Sequence, residues 1–319
     1  MFIYRAYGLL ILSDAPIPEL PVSDAIGVGS DGRVRVTLHP RRATFREPPA
    51  WLSVGVDPAG KTWFKSARVE RGFVLRFVDL ADFFISADGH EVACLSSAAG
   101  LNVRSTRHLI LDQVFPRVIN LLGFESLHAT AVAKGQGAFA FIGPPGVGKS
   151  TIAGSFQLHG YGSVCDDCLV LRESPGGIIA TPGYPGLRLW QDSLEALGAN
   201  VKDADPVAEY SSKFRLHGAE TARRFVAEAQ PLRRLYLLSR FEEPEVTAPR
   251  LEPMTAAEVF PELIRASFPL DISDKAMLTR HFRLFSRLAS QVPARRLTVP
   301  NHFAALEDVR RAVLADFEH

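Results

Sequence analysis

Residues 140–171 read AFIGPPGVGKSTIAGSFQLHGYGSVCDDCLVL and carry the strongest structural pattern of the chain. They predict an apolar strand, a glycine-rich loop, a helix that ends near Gly160 and a second strand that begins at SVC. The loop GPPGVGKS matches the pattern G-x-x-x-x-G-K-[ST], with Lys149 and Ser150 at its end. A strand before this loop and a helix after it form the context in which the pattern binds phosphate. We therefore predict an α/β fold built around a phosphate-binding loop.

The loop has the residue types that polyphosphate binding requires. Glycines let the backbone amides turn inward as a nest for phosphate oxygens, and the helix N-terminus adds partial positive charge. Lys149 is expected to neutralise the β and γ phosphates, and the Ser150 hydroxyl to ligate Mg²⁺. ATP and Mg²⁺ are therefore the predicted cofactors. The predicted nucleotide-binding residues are Gly143, Gly146, Val147, Gly148, Lys149, Ser150 and Thr151.

Two adjacent aspartates, Asp166 and Asp167, follow the second strand, which we expect to lie next to the loop strand. The carboxyl ends of strands form the crevice in which open α/β sheets hold ligands. Consecutive strand residues point in opposite directions, so the two carboxylates are expected to have different roles. One would hold the metal ion or its water shell. The other would face an acceptor hydroxyl, as a carboxylate does in kinases.

Cys165 and Cys168 bracket these aspartates with a C-x-x-C spacing that also occurs in redox and zinc sites. Two negative charges between the sulfurs would raise the thiol pKa values, which opposes redox chemistry. A structural zinc site needs two further ligands, and the sequence has no second C-x-x-C and no close pair of histidines. We predict buried packing residues, and redox or zinc chemistry is the alternative.

Composition narrows the class of protein. A hydrophobic content of 47% in 319 residues is sufficient for buried cores, and three cysteines cannot form a disulfide framework. The net charge of +1 and the scattered arginine pairs argue against a nucleic-acid partner. The run GLLILSDAPIPEL is too short to span a bilayer, and the first residues do not resemble a signal peptide. The sequence thus predicts a cytoplasmic protein with no membrane partner.

Two domains are expected. Residues 1–100 predict a small β-rich domain, with β-prone runs at 2–12, 34–38, 51–56, 73–77 and 83–86, whose edge could recognise an extended acceptor. Residues 101–319 predict the phosphate-loop domain, with helices at 111–122, 255–266, 273–292 and 304–317. Pro116 should kink the first helix, and Thr255 with Glu258 should cap the second.

Three segments resemble the catalytic domain of the HPr serine kinase/phosphorylase family, a P-loop fold related to phosphoenolpyruvate carboxykinase. They are LHATAV at 127–132, IGPPGVGKST at 142–151 and GYGSVCDDCLVL at 160–171. The resemblance covers about residues 105–240. The segments YRAYGLLILSDAPIPELP at 4–21 and GYPGLRLW at 183–190 look like the HPr-kinase-like proteins of lasso-peptide clusters. Members of that subgroup phosphorylate a serine of a precursor peptide.

Carried over to this chain, the resemblance implies that Asp166 is the general base and that Asp167 lies beside it near the metal. It also implies that His128 lines the same pocket, although a hydrogen-bonded core histidine is the alternative. The family's metal-binding glutamate is missing from PGLRLW, so we predict a one-way kinase. HPr kinases form hexamers, which makes a homo-oligomer an open expectation.

Three cations complete the predicted site. Arg188, Lys213 and Arg215 could stabilise the transferring phosphoryl group, and ordinary strand-edge cations are the alternative. Together these features predict an Mg-ATP-dependent kinase that acts on a serine of a peptide or protein, such as a lasso precursor. A small-molecule (sugar or nucleoside) kinase and a P-loop regulatory ATPase without an acceptor remain the alternatives.

Overall fold

A computed structural model describes residues 1–24, 32–38, 48, 50–57, 59–97, 102–199, 202, 204–241 and 246–318. Its contacts divide the chain into two units. The N-terminal unit comprises Met1–Phe124, Ala208–Tyr210 and Phe268–Arg280. The C-terminal unit comprises Glu125–Val207, Ser211–Ser267 and His281–His319. Each unit contains strands and helices, so the predicted mixed α/β class is confirmed.

An eight-stranded sheet dominates the N-terminal unit, in the order β1-β2-β3-β8-β7-β6-β5-β4. The pairs β2–β3 and β3–β8 are parallel, and the other neighbours are antiparallel. Its strands are β1 (Phe2–Ala6), β2 (Leu9–Ser13), β3 (Arg33–Thr37), β4 (Ser53–Val56), β5 (Thr62–Val69), β6 (Gly72–Phe77), β7 (Ala81–Ser86) and β8 (Glu91–Ser97). Strands β5 and β8 were not predicted, because charged and small residues interrupt their apolar pattern.

The predicted run 2–12 is a hairpin rather than one strand. Tyr7 and Gly8 have φ values of +59° and +73°, which form a tight turn between β1 and β2. A tyrosine rarely takes this left-handed conformation. The Tyr7 side chain is buried, and its ring lies 5.8 Å from that of Phe115. The turn at Tyr7 is therefore accompanied by burial of the tyrosine side chain, and local sequence rules did not predict it.

The helical segment after residue 102 belongs to the N-terminal unit. It comprises α1 (Val103–Leu109), a π-helical turn (Ile110–Val114) and α2 (Phe115–Leu121). Pro116 lies directly after the π-helical turn in a continuous helical segment, and its missing N–H cannot donate to the preceding turn, where the helix is irregular. The Arg117 guanidinium lies 4.4 Å from the Phe64 ring centroid. These contacts lie within the N-terminal unit, whose first segment runs to Phe124.

Beyond residue 124 the chain alternates strands and helices. The strands are β9 (Glu125–Leu127), β10 (Ala129–Lys134), β11 (Gly137–Ile142), β12 (Gly162–Cys165), β13 (Leu169–Ser174), β14 (Gly177–Thr181), β15 (Leu187–Leu189), β16 (Ala204–Pro206), β17 (Phe214–Leu216), β18 (Gln230–Arg240), β19 (Arg250–Met254) and β20 (Ala294–Val299). The helices are α3 (Lys149–Leu158), α4 (Gln191–Ala196), α5 (Ala219–Arg224), α6 (Ala256–Ala266), α7 (Lys275–Gln291) and α8 (Leu306–Phe317), with a 3-10 turn at Phe303–Ala305. The predicted capping box of Thr255 and Glu258 is present at the start of α6.

The main sheet of the C-terminal unit has the order β12-β10-β11-β18-β14-β13-β9, and β20 pairs with both β18 and β19. Strand β10 lies between β11 and β12 and is antiparallel to both, so the expected direct pairing of these two strands is wrong. They nevertheless run in the same direction, as do β18 and β20. The carboxyl ends of β11, β12, β18 and β20 therefore open at one edge of the sheet.

The apolar run LHATAVA at 127–133 has the pattern of a single strand but is divided at His128. Strand β9 pairs with β13, whereas β10 pairs with β11 and β12. Between them, the His128 amide donates to the Ala266 carbonyl oxygen over 2.7 Å. The chain thus changes its pairing partners at His128. The apolar pattern of the sequence does not indicate this break.

Strand β11 separates two halves of the core because its side chains alternate. Ala138, Ala140 and Ile142 join a buried cluster with residues of α6 and α7. Phe139 and Phe141 join a second cluster with residues of α3 and α8. Helices thus cover both faces of the strand that leads into the glycine-rich loop. Among the helices of the described residues, none is long and apolar enough to cross a membrane.

Replacement of Phe139 should destabilise the C-terminal unit more than replacement of any aromatic residue at its edge. Its ring is fully buried and lies within 6 Å of the rings of Phe156, Phe317 and Tyr236. We expect Phe139→Ala to lower the free energy of unfolding by about 3–5 kcal/mol, because it leaves a cavity. Urea unfolding followed by circular dichroism measures the change. Phe317→Ala, at a half-buried position, is the control, and equal losses in the two variants would contradict this description of the core.

Candidate active site

The loop 143–148 joins the end of β11 to the start of α3. Gly146 and Gly148 have φ values of +81° and +107°, a left-handed conformation that strains other residues. Gly148 caps α3, and its carbonyl oxygen accepts from the Ile152 amide over 2.9 Å. This backbone leaves the first amides of α3 free for an anion at the helix N-terminus.

The Lys149 side chain folds back on the loop. Its ammonium donates to the carbonyl oxygens of Gly143 over 2.9 Å and of Pro144 over 3.2 Å. Burial lowers the pKa of Lys149, and the nearby carboxylates of Asp167 and Asp166 oppose that shift. An ammonium that donates to neutral carbonyl oxygens would gain a stronger, charge-assisted partner if a phosphate entered the loop.

The buried side chain of Asp166 accepts hydrogen bonds from three described groups. Its Oδ1 accepts from the Ser150 hydroxyl and from the Thr130 hydroxyl, each over 2.8 Å. Its Oδ2 accepts from the Arg188 backbone amide over 2.8 Å. Burial, followed by the neighbouring charge of Asp167, raises the pKa of Asp166. This carboxylate is therefore tied to the serine that begins α3.

Asp167 instead lines the open cavity. Its Oδ2 lies 2.7 Å from Nη2 of Arg188, and its Oδ1 lies 3.3 Å from Nε2 of His128. Burial opposes its ionisation, but the Arg188 guanidinium and the His128 ring hold the pKa of Asp167 well below its usual range. Asp167 thus remains a carboxylate that faces the cavity.

The two carboxylates face different groups, as expected, but strand alternation is not the cause. Asp167 lies beyond the end of β12 with a φ of +61°, so strand geometry does not set its direction. The resemblance implies that Asp166 is the base toward the acceptor and that Asp167 lies near the metal. In the structure, Asp166 contacts Ser150, and of these two aspartates Asp167 is the one that lines the cavity, which Asp192 also lines.

The three predicted cations lie on or beside the small sheet β15-β17-β16. Arg188 and Lys213 line the cavity, and the Lys213 ammonium lies 5.6 Å from the Trp190 ring centroid. Arg215 stands directly opposite Arg188 in the register, but its guanidinium lies 5.3 Å from the Tyr184 ring centroid. Arg215 is not among the described residues that line the cavity.

The cavity has a volume of about 740 Å³, within the usual range of small-molecule sites. It contains most of the predicted site residues, including Gly146, Val147, Gly148, Lys149, Ser150, Thr151, Asp167, His128, Arg188 and Lys213. Gly143 begins the loop beside it, and Asp166 lies behind Ser150.

Several residues of the site were not predicted from the sequence. Arg240 donates to the carbonyl oxygens of Gly146 and Val147, each over 3.2 Å, and also to Asn301 Oδ1. Trp190, Asn301, His302 and Phe303 line the cavity. None of them belongs to a motif. Their positions could have indicated them, because each lies at or after the end of β18, β15 or β20, and ligands bind where strands end.

Cys94, Cys165 and Cys168 are buried, and none forms a disulfide among the described residues. Burial raises the pKa of the Cys165 thiol, as do Cys168 and the nearby aspartates. Burial likewise raises the pKa of Cys94 to about 11. No group of three or more His, Cys, Asp or Glu side chains is placed to hold a metal ion in the described part of the chain.

Comparison with known proteins gives likenesses to solved structures. No protein-family model matches the chain, and no curated protein matches it. The chain is similar to the structure of the HPr(Ser) kinase/phosphatase from Coxiella burnetii, with 13% identity and a TM-score of 0.29. That alignment covers 60% of this chain and 92% of the other.

The native thiols should not react with an aromatic disulfide reagent at pH 8. The pKa of the Cys165 and Cys94 thiols is raised, so both stay protonated at that pH, and all three side chains are shielded from solvent. Absorbance of the released thiolate measures the reaction. The same protein in denaturant, where three thiols should react, is the control. Rapid native labelling of Cys165 or Cys168 would support the redox alternative.

Proposed function

We propose that the cavity binds Mg-ATP and transfers the γ-phosphoryl group to a serine hydroxyl of a peptide or protein. One observation carries this proposal: Lys149 and Ser150 begin α3 in the same cavity whose wall contains the carboxylate of Asp167. Phosphate-binding groups and a carboxylate for an acceptor are the two parts that phosphoryl transfer requires of a protein.

The loop and Lys149 would bind the polyphosphate. Amides at the start of α3 supply donors, and the Lys149 ammonium would move from the Gly143 and Pro144 carbonyl oxygens to phosphate oxygens. Arg188 and Lys213 add positive charge to the same cavity. Fixed cations near the transferring group stabilise the charge that its equatorial oxygens carry in the transition state.

The donor set at Ser150 fits a magnesium ion. Mg²⁺ prefers hard oxygen ligands and takes only one or two from the protein beside phosphates and water. The Ser150 hydroxyl and the Asp166 carboxylate are such groups and already contact each other. A bound Mg²⁺ would neutralise phosphate charge. We therefore assign Asp166 to the support of Ser150 and the metal site.

Asp167 would orient the acceptor hydroxyl and finally accept its proton. Its low pKa keeps it ionised at neutral pH, with burial outweighed by Arg188 and His128. A weak base suffices, because the loose transition state of phosphoryl transfer requires little proton removal early in the reaction. His128 would act as a positioning residue through its contact with Asp167 Oδ1.

The acceptor is proposed to be a serine of a lasso-precursor-type peptide. The segments 4–21 and 183–190 support this choice, since they resemble kinases of that subgroup. We also predict that residues 1–100 help to select the acceptor.

Incubation of the protein with labelled ATP and candidate precursor peptides, followed by mass spectrometry, tests the proposal. Phosphorylation of a sugar or nucleoside without peptide, or ATP hydrolysis without any acceptor, would overturn it.

Lys149→Met should abolish transfer and weaken ATP binding strongly. The substitution keeps the length of the buried side chain but removes the charge expected to contact the phosphates. Calorimetry measures ATP affinity, and peptide phosphorylation measures turnover. Lys61→Ala removes an exposed lysine of the N-terminal unit and should change neither value. Turnover at the wild-type rate in Lys149→Met would refute the phosphate-loop assignment.

The two aspartates should respond differently to replacement by asparagine. Asp167→Asn should lower transfer by about 10²–10⁴, the usual effect of a positioned base, while ATP affinity changes little. Asp166→Asn should raise the magnesium concentration needed for half-maximal rate, because its contact with Ser150 is altered. Initial rates at several magnesium concentrations distinguish the two. If the magnesium requirement follows Asp167 and the rate loss follows Asp166, the two roles must be exchanged.

A further inference from the structure

The cavity has an apolar wall that phosphate binding does not use. Strand β20 runs parallel to β18, which is itself parallel to β11, so the residues after β20 reach the same edge as the glycine-rich loop. This wall consists of Val299, Pro300, Phe303, Leu306 and Val309. Leu306, Val299 and Val309 continue into the buried core that packs on α3, which gives the wall a rigid base.

Phe303 is the exposed aromatic face of this wall. Its side chain is 41% exposed, although it lines a cavity. A 3-10 turn, Phe303–Ala305, holds it immediately before α8. Trp190, also partly exposed, lines the cavity from the segment between β15 and α4. An exposed aromatic ring on a rigid support is suited to stacking with a planar ligand.

Asn301 adds one directed hydrogen bond to the wall. Its Oδ1 accepts from the Arg240 guanidinium, which also donates to the carbonyl oxygens of Gly146 and Val147. Because arginine can only donate, this contact identifies the amide oxygen of Asn301 as the atom that faces Arg240. The amide nitrogen of Asn301 is then the group that can donate to a ligand.

We propose that this wall binds the base of the nucleotide, with Phe303 stacked on the base and Asn301 donating to one of its ring or carbonyl acceptors. This inference rests on the proposed function. Thr151, Ile152, the phosphate loop and the wall all line one cavity, so phosphate, ribose and base of a nucleotide could occupy it together. Arg240 links the two ends, because one guanidinium holds both the loop carbonyls and Asn301.

Binding of ATP and of inorganic tripolyphosphate, each with Mg²⁺, tests the proposal by calorimetry. Tripolyphosphate occupies only the phosphate end, so the ratio of the two affinities isolates the base. Base–aromatic stacking commonly changes affinity by about 5- to 150-fold on removal of the ring. We expect Phe303→Ala to weaken ATP by ~10-fold and tripolyphosphate by less than about 2-fold. Phe303→Tyr, which retains the ring, should restore ATP affinity.

Two further variants sharpen this test. Asn301→Asp keeps an oxygen for Arg240 but replaces the donor, so the ATP-to-tripolyphosphate affinity ratio should fall by ~5-fold. The added negative charge would weaken the binding of the phosphates of both ligands, so the ratio of the two affinities cancels that effect. Phe282→Ala removes an aromatic side chain that is 63% exposed on α7 and does not line the cavity in the described structure. It is the matched control, and its ATP affinity should equal that of the wild type.

The outcomes separate failure of this inference from failure of the proposed function. Wild-type protein that binds ATP no more tightly than tripolyphosphate overturns the base site and leaves the phosphate site intact. The same holds if Phe303→Ala binds ATP as the wild type does. Wild-type protein that binds neither ligand overturns both the base site and the proposed function.

Discussion

The buried carboxylate of Asp166 is the contact on which the site depends. Its oxygens accept hydrogen bonds from Ser150, Thr130 and the Arg188 amide, which belong to α3, β10 and β15. A buried carboxylate without such donors would be strongly destabilising. With them, one side chain holds the first turn of α3 against two strands. The position of the glycine-rich loop relative to the end of β12 follows from that arrangement.

The charges around this contact match a polyphosphate ligand. Lys149, Arg188 and Lys213 line the cavity, and so do the acidic residues Asp167 and Asp192. Burial makes the ammonium of Lys149 less favourable, which lowers its pKa, while Arg188 and His128 favour the charged form of Asp167. A ligand with several negative charges would stabilise the buried ammonium of Lys149. An acceptor hydroxyl would find an ionised carboxylate beside it.

Local patterns predicted the elements whose determinants lie close together in sequence. The strand, loop and helix at 137–158 follow from alternating apolar residues, glycines and a helical start. The cap at Thr255 and Glu258 was likewise readable, because both partners lie within one turn. The order of β12, β10 and β11 was not readable, since strand pairing joins segments distant in sequence. The hairpin at Tyr7 and the break at His128 also escaped, because each accompanies contacts with distant segments.

The sequence by itself determined that a phosphate-binding pattern and two acidic residues belong to one α/β unit, because both follow strands within thirty residues of each other. Only the tertiary structure decided which aspartate faces the cavity. Asp166 is turned inward by Thr130, 36 residues away, and by the Arg188 amide, 22 residues away. Asp167 is turned outward by a left-handed backbone and by Arg188 and His128. Side-chain direction at a strand end depends on such distant partners, and for that reason no spacing rule could assign it.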